Sequence, residues 1–320
     1  MKPDTADGDS FLARAYRKVV RLFAQDNIKD DYEKVRRQQE LLAKLATLPY
    51  TSLEAEMLSA DGSHEIEGRV FLPGERRRKD LLLFFHGGGW VTGDIDSYTP
   101  TCATMAELTG CVVISVDYLL APEHPFPAGL EDCYRVAQQL LANPALANLE
   151  NPDSIVLIGD SAGGNLAAVT SLLLRDRGER VPSRQILLYP ATHWDHNPET
   201  SPFESARLYG DEYRLTSGEV QDYIELYVPD PAQRPNPLVA PLLAEDLSGQ
   251  PRTLVITAEL DLLRDEGEAY ARKLQEAGND VELVRIDGAL HGFITLPRFS
   301  KPLRTAYERI NTFLDIPLSD

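Results

Sequence analysis

Two short motifs in this chain have the residue types of acyl transfer. Gly159-Asp160-Ser161-Ala162-Gly163 follows the apolar run Ile155–Ile158 and opens a helical stretch at Asn165. A sharp strand-to-helix turn leaves no room for side chains beside the serine, so glycines must flank it. The hydroxyl of Ser161 then stands exposed at the end of a strand, against a positive helix N-terminus, as a nucleophile. His86-Gly87-Gly88-Gly89-Trp90 follows a second apolar run, Leu81–Phe85. Three glycines let backbone approach a ligand and aim N–H groups at one point. Attack on a carbonyl puts negative charge on its oxygen, and the amides of Gly88, Gly89 and Ala162 would form the oxyanion hole that receives it. The competing reading, a phosphate-binding loop, lacks the Lys-Ser/Thr or second glycine pattern it requires. His86 reads as a side chain that holds the loop.

A serine nucleophile requires a base, and the base requires an orienting acid. In a strand–turn–helix scaffold of this type the order is serine, acid, histidine. Of the six histidines, His193, His196 and His291 lie after Ser161. His291, in Gly288-Ala289-Leu290-His291-Gly292-Phe293, follows the last strand-like run and is the expected general base. Leu254–Thr257 is followed by Glu259-Leu260-Asp261-Leu262-Leu263-Arg264-Asp265. Asp261 is the expected acid, with Glu259 and Asp265 as alternatives. His193, Asp195 and His196 could form a metal trio, but a polar lid surface is the better reading, and no metal or other cofactor is expected. Trp90 and Leu290 are candidates for the substrate pocket, as are Phe203 and Tyr209.

These residues have to be positioned by a sheet. Leu81–Phe85, Val112–Val116, Ile155–Ile158, Ile186–Tyr189 and Leu254–Thr257 are continuous apolar runs, as strands buried on both faces are. Val281–Ile286 alternates and suits an edge strand. Helical stretches over 97–109, 129–142, 165–175, 265–277 and 302–314 separate and follow the runs. The alternation predicts a doubly wound α/β sheet with helices on both faces. Ahead of it, 53–58 and 65–72 read as antiparallel strands joined at Asp61-Gly62. Residues 11–48 read as helical, with Phe11, Ala15, Val19, Leu22 and Phe23 on one face and Val35, Leu41, Leu42 and Leu45 on another. The proline-rich segment 191–250 interrupts the alternation and reads as a lid.

The chain has 320 residues, with 32 Lys+Arg against 50 Asp+Glu and a formal net charge of −18. That balance argues against nucleic acid and anionic membrane as partners, since both attract cations. No apolar run approaches the ~18 residues of a membrane span, and the polar, acidic start does not read as a secretory signal. Cys102, Cys111 and Cys133 are sparse and unpatterned, which points to a reducing, cytoplasmic setting.

Taken together, HGGGW, YLLAPEHPFPA, GDSAGGNLA, ELDLLRD and LHGF, in that order, resemble the hormone-sensitive-lipase-like (bacterial family IV) esterases of the α/β-hydrolase superfamily. The resemblance covers about residues 50–315. It departs at Leu119, where the family usually has arginine, and at Leu262, where it usually has proline. It implies an eight-stranded, mostly parallel sheet, with a helical cap formed by residues 1–48 and an insertion at 191–250. Residues 49–190 and 251–320 would then make the catalytic domain. It places the nucleophile, acid and base on Ser161, Asp261 and His291, and the oxyanion-hole donors on Gly88, Gly89 and Ala162. The implied activity is a serine carboxylesterase acting on short- to medium-chain acyl esters. Amide hydrolysis by the same triad, or a small-molecule receptor on a hydrolase fold, are the alternatives. The sequence leaves the oligomeric state open; members of the family it resembles are often dimers, and the exposed edge strand at 281–286 offers a route to a homodimer.

Overall fold

A computed structural model describes residues 27–45, 51–58, 62, 64–147, 151, 154–211 and 213–315. The apolar face expected over residues 11–23, and Asp61 of the hairpin turn, lie outside them. Eight strands form one sheet in the order β1-β2-β4-β3-β5-β6-β7-β8. They are β1 (Thr51–Leu58), β2 (Glu65–Leu72), β3 (Leu81–Phe85), β4 (Val112–Val116), β5 (Ile155–Asp160), β6 (Arg184–Leu188), β7 (Arg252–Leu260) and β8 (Val281–Leu290). β2 runs antiparallel to β1 and β4, and β3 to β8 are parallel. The expected apolar runs are the five central strands, and β1 and β8 are the two edges.

Alternation inside β3 shows why its run is unbroken. Leu81, Leu83 and Phe85 join one apolar cluster and Leu82 and Phe84 join the other, all with no solvent exposure. Each side of the sheet therefore has its own core. Helices α3 (Ala128–Ala142), α4 (Ala162–Asp176) and α7 (Arg264–Glu276) cover one face. Helices α2 (Ile95–Thr109) and α8 (Lys301–Asp315) cover the other. Truncating a central side chain such as Leu83 to alanine would cost about 2–5 kcal/mol. Helix α4 is buried over 13 of its 15 residues, in keeping with its place directly behind the sheet's central strands.

Local chemistry sets the element ends. Asp94 and Ser97 form a reciprocal capping box at the start of α2, and Gly110 closes it in the left-handed region at φ 70°. Arg77 and Arg78, in the turn before β3, donate to the last carbonyls of α2, those of Glu107 and Thr109. Arg78 also pairs with Asp315 of α8.

The segment 191–250 folds into α5 (Glu204–Tyr209), α6 (Ser217–Tyr227) and short 3-10 turns. Asn165 of α4 fastens it at two points, donating to the carbonyls of Ala191 and Val239 at 2.8 Å. Helix α1 (Ile28–Leu45) packs against α6, where Asp222 accepts from the Ile28 amide and Lys29 pairs with Glu225. Arg36 of α1 donates to the carbonyls of Val91 and Ala121 and forms a two-pronged ion pair with Glu123. The stiff Ala121–Pro127 turn thus serves as an anchor for α1.

Candidate active site

Ser161, Asp261 and His291 are each the first residue beyond a strand: β5, β7 and β8 respectively. Because these strands are parallel, their carboxyl ends share one rim of the sheet. Three side chains distant in sequence meet there. The Ser161 hydroxyl lies 2.9 Å from His291 Nε2, and His291 Nδ1 lies 2.7 Å from Asp261 Oδ2. Asp261 is 1% exposed, and its other oxygen accepts from the Leu263 amide at 3.0 Å. That bond ties the carboxylate to its own loop even though Leu262 replaces the usual proline. His291 follows β8 directly, because the strand runs four residues past its expected end at 286.

Ser161 has φ 55° and ψ −118°, a strained conformation for a residue with a side chain. The turn is enforced by its neighbours. A Cβ on Gly159 would stand 2.1 Å from the carbonyl oxygen of Gly163, and one on Gly163 would stand 1.9 Å from that of Phe85. The Ser161 amide is held by the Leu188 carbonyl, and its own carbonyl accepts from Asn165 in the first turn of α4.

Gly88, at φ 117°, and Gly89, at φ 62°, form the adjacent loop. The Gly88 carbonyl accepts from the amides of Val91 and Thr92. Among the described residues, no acceptor faces the amides of Gly88, Gly89 or Ala162. All three residues line a cavity of about 420 Å³ with Ser161 and His291. Its outer wall includes Gln38 and Gln39 of α1 and Val220 and Tyr223 of α6. Tyr223 lies so close over Gly89 that a Cβ there would meet its ring at 2.2 Å.

Asp160 carries weight that its place as the variable residue of a G-x-S-x-G motif did not signal. It is 1% exposed and accepts from the Gly87 amide at 2.8 Å, from Tyr98 at 3.2 Å and from Tyr189 at 3.3 Å. It thereby joins the nucleophile's strand to the glycine loop. Burial pushes its carboxyl up to about 6, against the pull of these donors. Tyr189, just beyond β6, packs edge-on to the His291 ring at 4.8 Å. Its aromatic type at the end of an apolar run was the available signal, but the run gave no reason to separate it from the strand.

His86 sits where a loop holder should. It stacks on Tyr118 at 4.4 Å, its Nδ1 lies 2.8 Å from the Gly87 carbonyl, and burial depresses its pKa to about 4. Glu259 instead accepts from the Gly288 amide, and Asp265 pairs with Arg264, so neither alternative acid reaches His291. Beside Leu119, Asp132 accepts from the Leu119 amide and lies 2.9 Å from His64.

Two expectations are corrected. Trp90 lines the cavity, stacked on Tyr227, but Leu290, Phe203 and Tyr209 lie outside its wall. Leu290 is the last residue of β8 and packs inward at 8% exposure. His196 is not a lid-surface residue: it is 1% exposed and lies 2.9 Å from the equally buried Glu266. Glu266 also accepts from the amides of Thr192 and His193, so the pair pins the start of the 191–250 segment to α7. Among the described residues no cluster of His, Cys, Asp or Glu could hold a metal ion.

A family profile described as alpha/beta hydrolase fold matches residues 82–295. An arylesterase of Saccharolobus solfataricus is 34% identical over 291 residues, covering 89% of this chain and 93% of its own. The carboxylic ester hydrolase LipN of Mycobacterium tuberculosis is 36% identical over 284 residues, 86% of this chain and 74% of its own. Among solved structures, a hyperthermophilic esterase from Pyrobaculum calidifontis superposes with a TM-score of 0.83 at 35% identity, covering 94% of this chain and 96% of its own.

Proposed function

The chain belongs to the α/β-hydrolase family, and we propose that it is a serine carboxylesterase cleaving short- to medium-chain acyl esters through an acyl-enzyme on Ser161. The observation that carries the reading is the hydrogen-bond chain from Ser161 through His291 to Asp261, 2.9 and 2.7 Å long, at a strained turn facing a cavity. The names of the relatives support the ester as the bond attacked.

In the proposed mechanism His291 Nε2 takes the Ser161 proton as the oxygen attacks the ester carbonyl. Asp261 fixes the tautomer in which Nδ1 donates, and stabilises the imidazolium without accepting its proton. The amides of Gly88, Gly89 and Ala162 receive the oxyanion, worth about 3–4 kcal/mol per donor in sites of this kind. His291 then returns the proton to the departing alcohol, and water releases the acid by the same steps in reverse.

Residues 1–48 and 191–250 act as the cap of this site, a role supported by α1 and α6 walling the cavity. Pairing of two copies along the free edge of β8 would give a homodimer, the outer face of that strand having no partner strand among the described residues. Three buried thiols free of disulfides, Cys102, Cys111 and Cys133, support a cytoplasmic setting.

The test is hydrolysis of p-nitrophenyl esters from acetate to decanoate, with phenylmethylsulfonyl fluoride labelling mapped by mass spectrometry. Turnover of the shorter esters and a single label on Ser161 are expected. No turnover of any ester, faster turnover of a matched anilide, or a label on Ser154 or Ser171 would overturn the reading.

A further inference from the structure

The wall of the cavity contains a cation that the acyl-transfer steps leave unused. Arg214 lies in the loop between α5 and α6 and reaches across to the loop after β8. Its guanidinium donates to the Gly292 carbonyl at 3.2 Å and to the Thr295 hydroxyl at 3.4 Å. A Cβ on Gly292 would stand 3.0 Å from its Cζ, so the charge rests on the residue next to His291. Both acceptors are neutral, and no carboxylate pairs with Arg214 among the described residues. Among the residues that wall the cavity it is the one guanidinium or ammonium.

The acidic groups of the wall are already engaged elsewhere. Glu219 accepts from the Thr216 amide and hydroxyl at the start of α6. Asp160 accepts from the Gly87 amide and two phenols beneath the loop. A guanidinium presents five donors in a planar fork, and two long bonds to neutral oxygens leave most of them for a ligand. On a chain with a net charge of −18, a cation kept inside the site without a carboxylate partner among the described residues is matched to an anion that arrives with the substrate.

We propose that Arg214 makes this enzyme selective for esters that carry a second, anionic group, a carboxylate on the acyl or the alcohol part. The inference rests on the ester-hydrolase reading and names the substrate class of that same site. The carboxylate forms a charge-assisted pair with the guanidinium beside His291 while the ester carbonyl sits at Ser161. Arg214 is a specificity-determining residue, and takes no part in bond making.

The experiment compares hydrolysis in a pH-stat for two matched pairs, with wild type, Arg214→Gln and Arg214→Lys. Monoethyl glutarate against ethyl pentanoate puts the carboxylate on the acyl side. The butyrate ester of 4-hydroxybutanoate against butyl butyrate puts it on the alcohol side. In at least one pair Arg214→Gln should lower the anionic-to-neutral ratio of kcat/KM about tenfold, through KM, with Arg214→Lys intermediate. Which pair responds identifies the side that carries the anion. An equal loss on anionic and neutral esters would assign Arg214 to holding the Gly292 loop alone and overturn the proposal. So would ratios that change less than twofold in both pairs. Failure of the wild type on every ester would instead refute the esterase reading, and is distinguishable on that account.

Discussion

Replacing Asp160 by asparagine removes a charge and keeps the shape, and its effect can be worked from the site. Asp160 is fully enclosed, and its carboxyl is pushed from 3.8 up to about 6, burial outweighing the Gly87 amide and the two phenols. A carboxyl whose folded pKa lies above its unfolded value binds protons more readily in the folded state. Its stabilising contribution is complete below about pH 3.8 and is lost as pH rises through about 6. Two units at 1.36 kcal/mol each make the full span about 3 kcal/mol, of which roughly 2 falls between pH 4 and 7. The variant has no such group. The stability of wild type minus that of Asp160→Asn should therefore fall by about 2 kcal/mol from pH 4 to pH 7, whatever its absolute value at either end. Subtraction removes the other buried groups, including His86 and Asp117, which titrate in both proteins. Urea unfolding at half-unit pH steps measures it. A flat difference, or one that rises with pH, would refute the dominance of burial at Asp160. The Gly87 amide, Tyr98 and Tyr189 would then be holding the carboxylate strongly enough to keep it ionised.

Other outcomes follow from the same geometry. Ser161→Ala should lower ester turnover by at least about a thousandfold in a p-nitrophenyl butyrate assay, with circular dichroism unchanged. Ser161→Gly should be as inactive but more stable than Ser161→Ala by about 1 kcal/mol in urea, because glycine tolerates φ 55°. Gly163→Ala, whose methyl would press on the Phe85 carbonyl at 1.9 Å, should destabilise by about 3 kcal/mol or more and lower the yield of folded protein. Arg36→Met leaves the carbonyls of Val91 and Ala121 without their donor and should cost about 1–2 kcal/mol in thermal unfolding. It should also raise KM with little change in kcat, since α1 walls the cavity but touches no reacting atom.

The parallel strands were legible because burial on both faces leaves an unbroken apolar run, and Leu81–Phe85 has that form. The site residues were legible for a different reason. Backbone collisions at Gly159 and Gly163 permit no other residue type, so the motif records sterics directly. What could not be read depends on contacts between distant segments. Asp160 looked like a variable position because its partners, Tyr98 and Tyr189, lie 62 and 29 residues away. His196 looked like surface because nothing local announces Glu266, which comes from a helix beyond the next strand. Leu290 looked like pocket because its neighbour is His291, yet it is still a buried residue of β8, and the loop that carries the base begins one residue later. Arg77 and Arg78 cap a helix end about 30 residues on, which nothing local announces.

The strand order also explains why Tyr189 belongs to the site. Ser161 follows β5, Asp261 follows β7 and His291 follows β8, so β6 lies between the nucleophile's strand and the acid's. The space at the end of that strand, beside the imidazole, is taken by one side chain. Tyr189 supplies it, its backbone turned to φ 36° and its amide held by the Ile256 carbonyl of β7. One end of the ring packs on His291 and Phe293, and the hydroxyl reaches Asp160. The strand that contributes no reacting atom thus joins the base to the carboxyl under the glycine loop. Movement at either side of the candidate oxyanion hole is then opposed by the same buried phenol. This is the physical reason for a large aromatic residue at a position where smaller ones would satisfy the sheet.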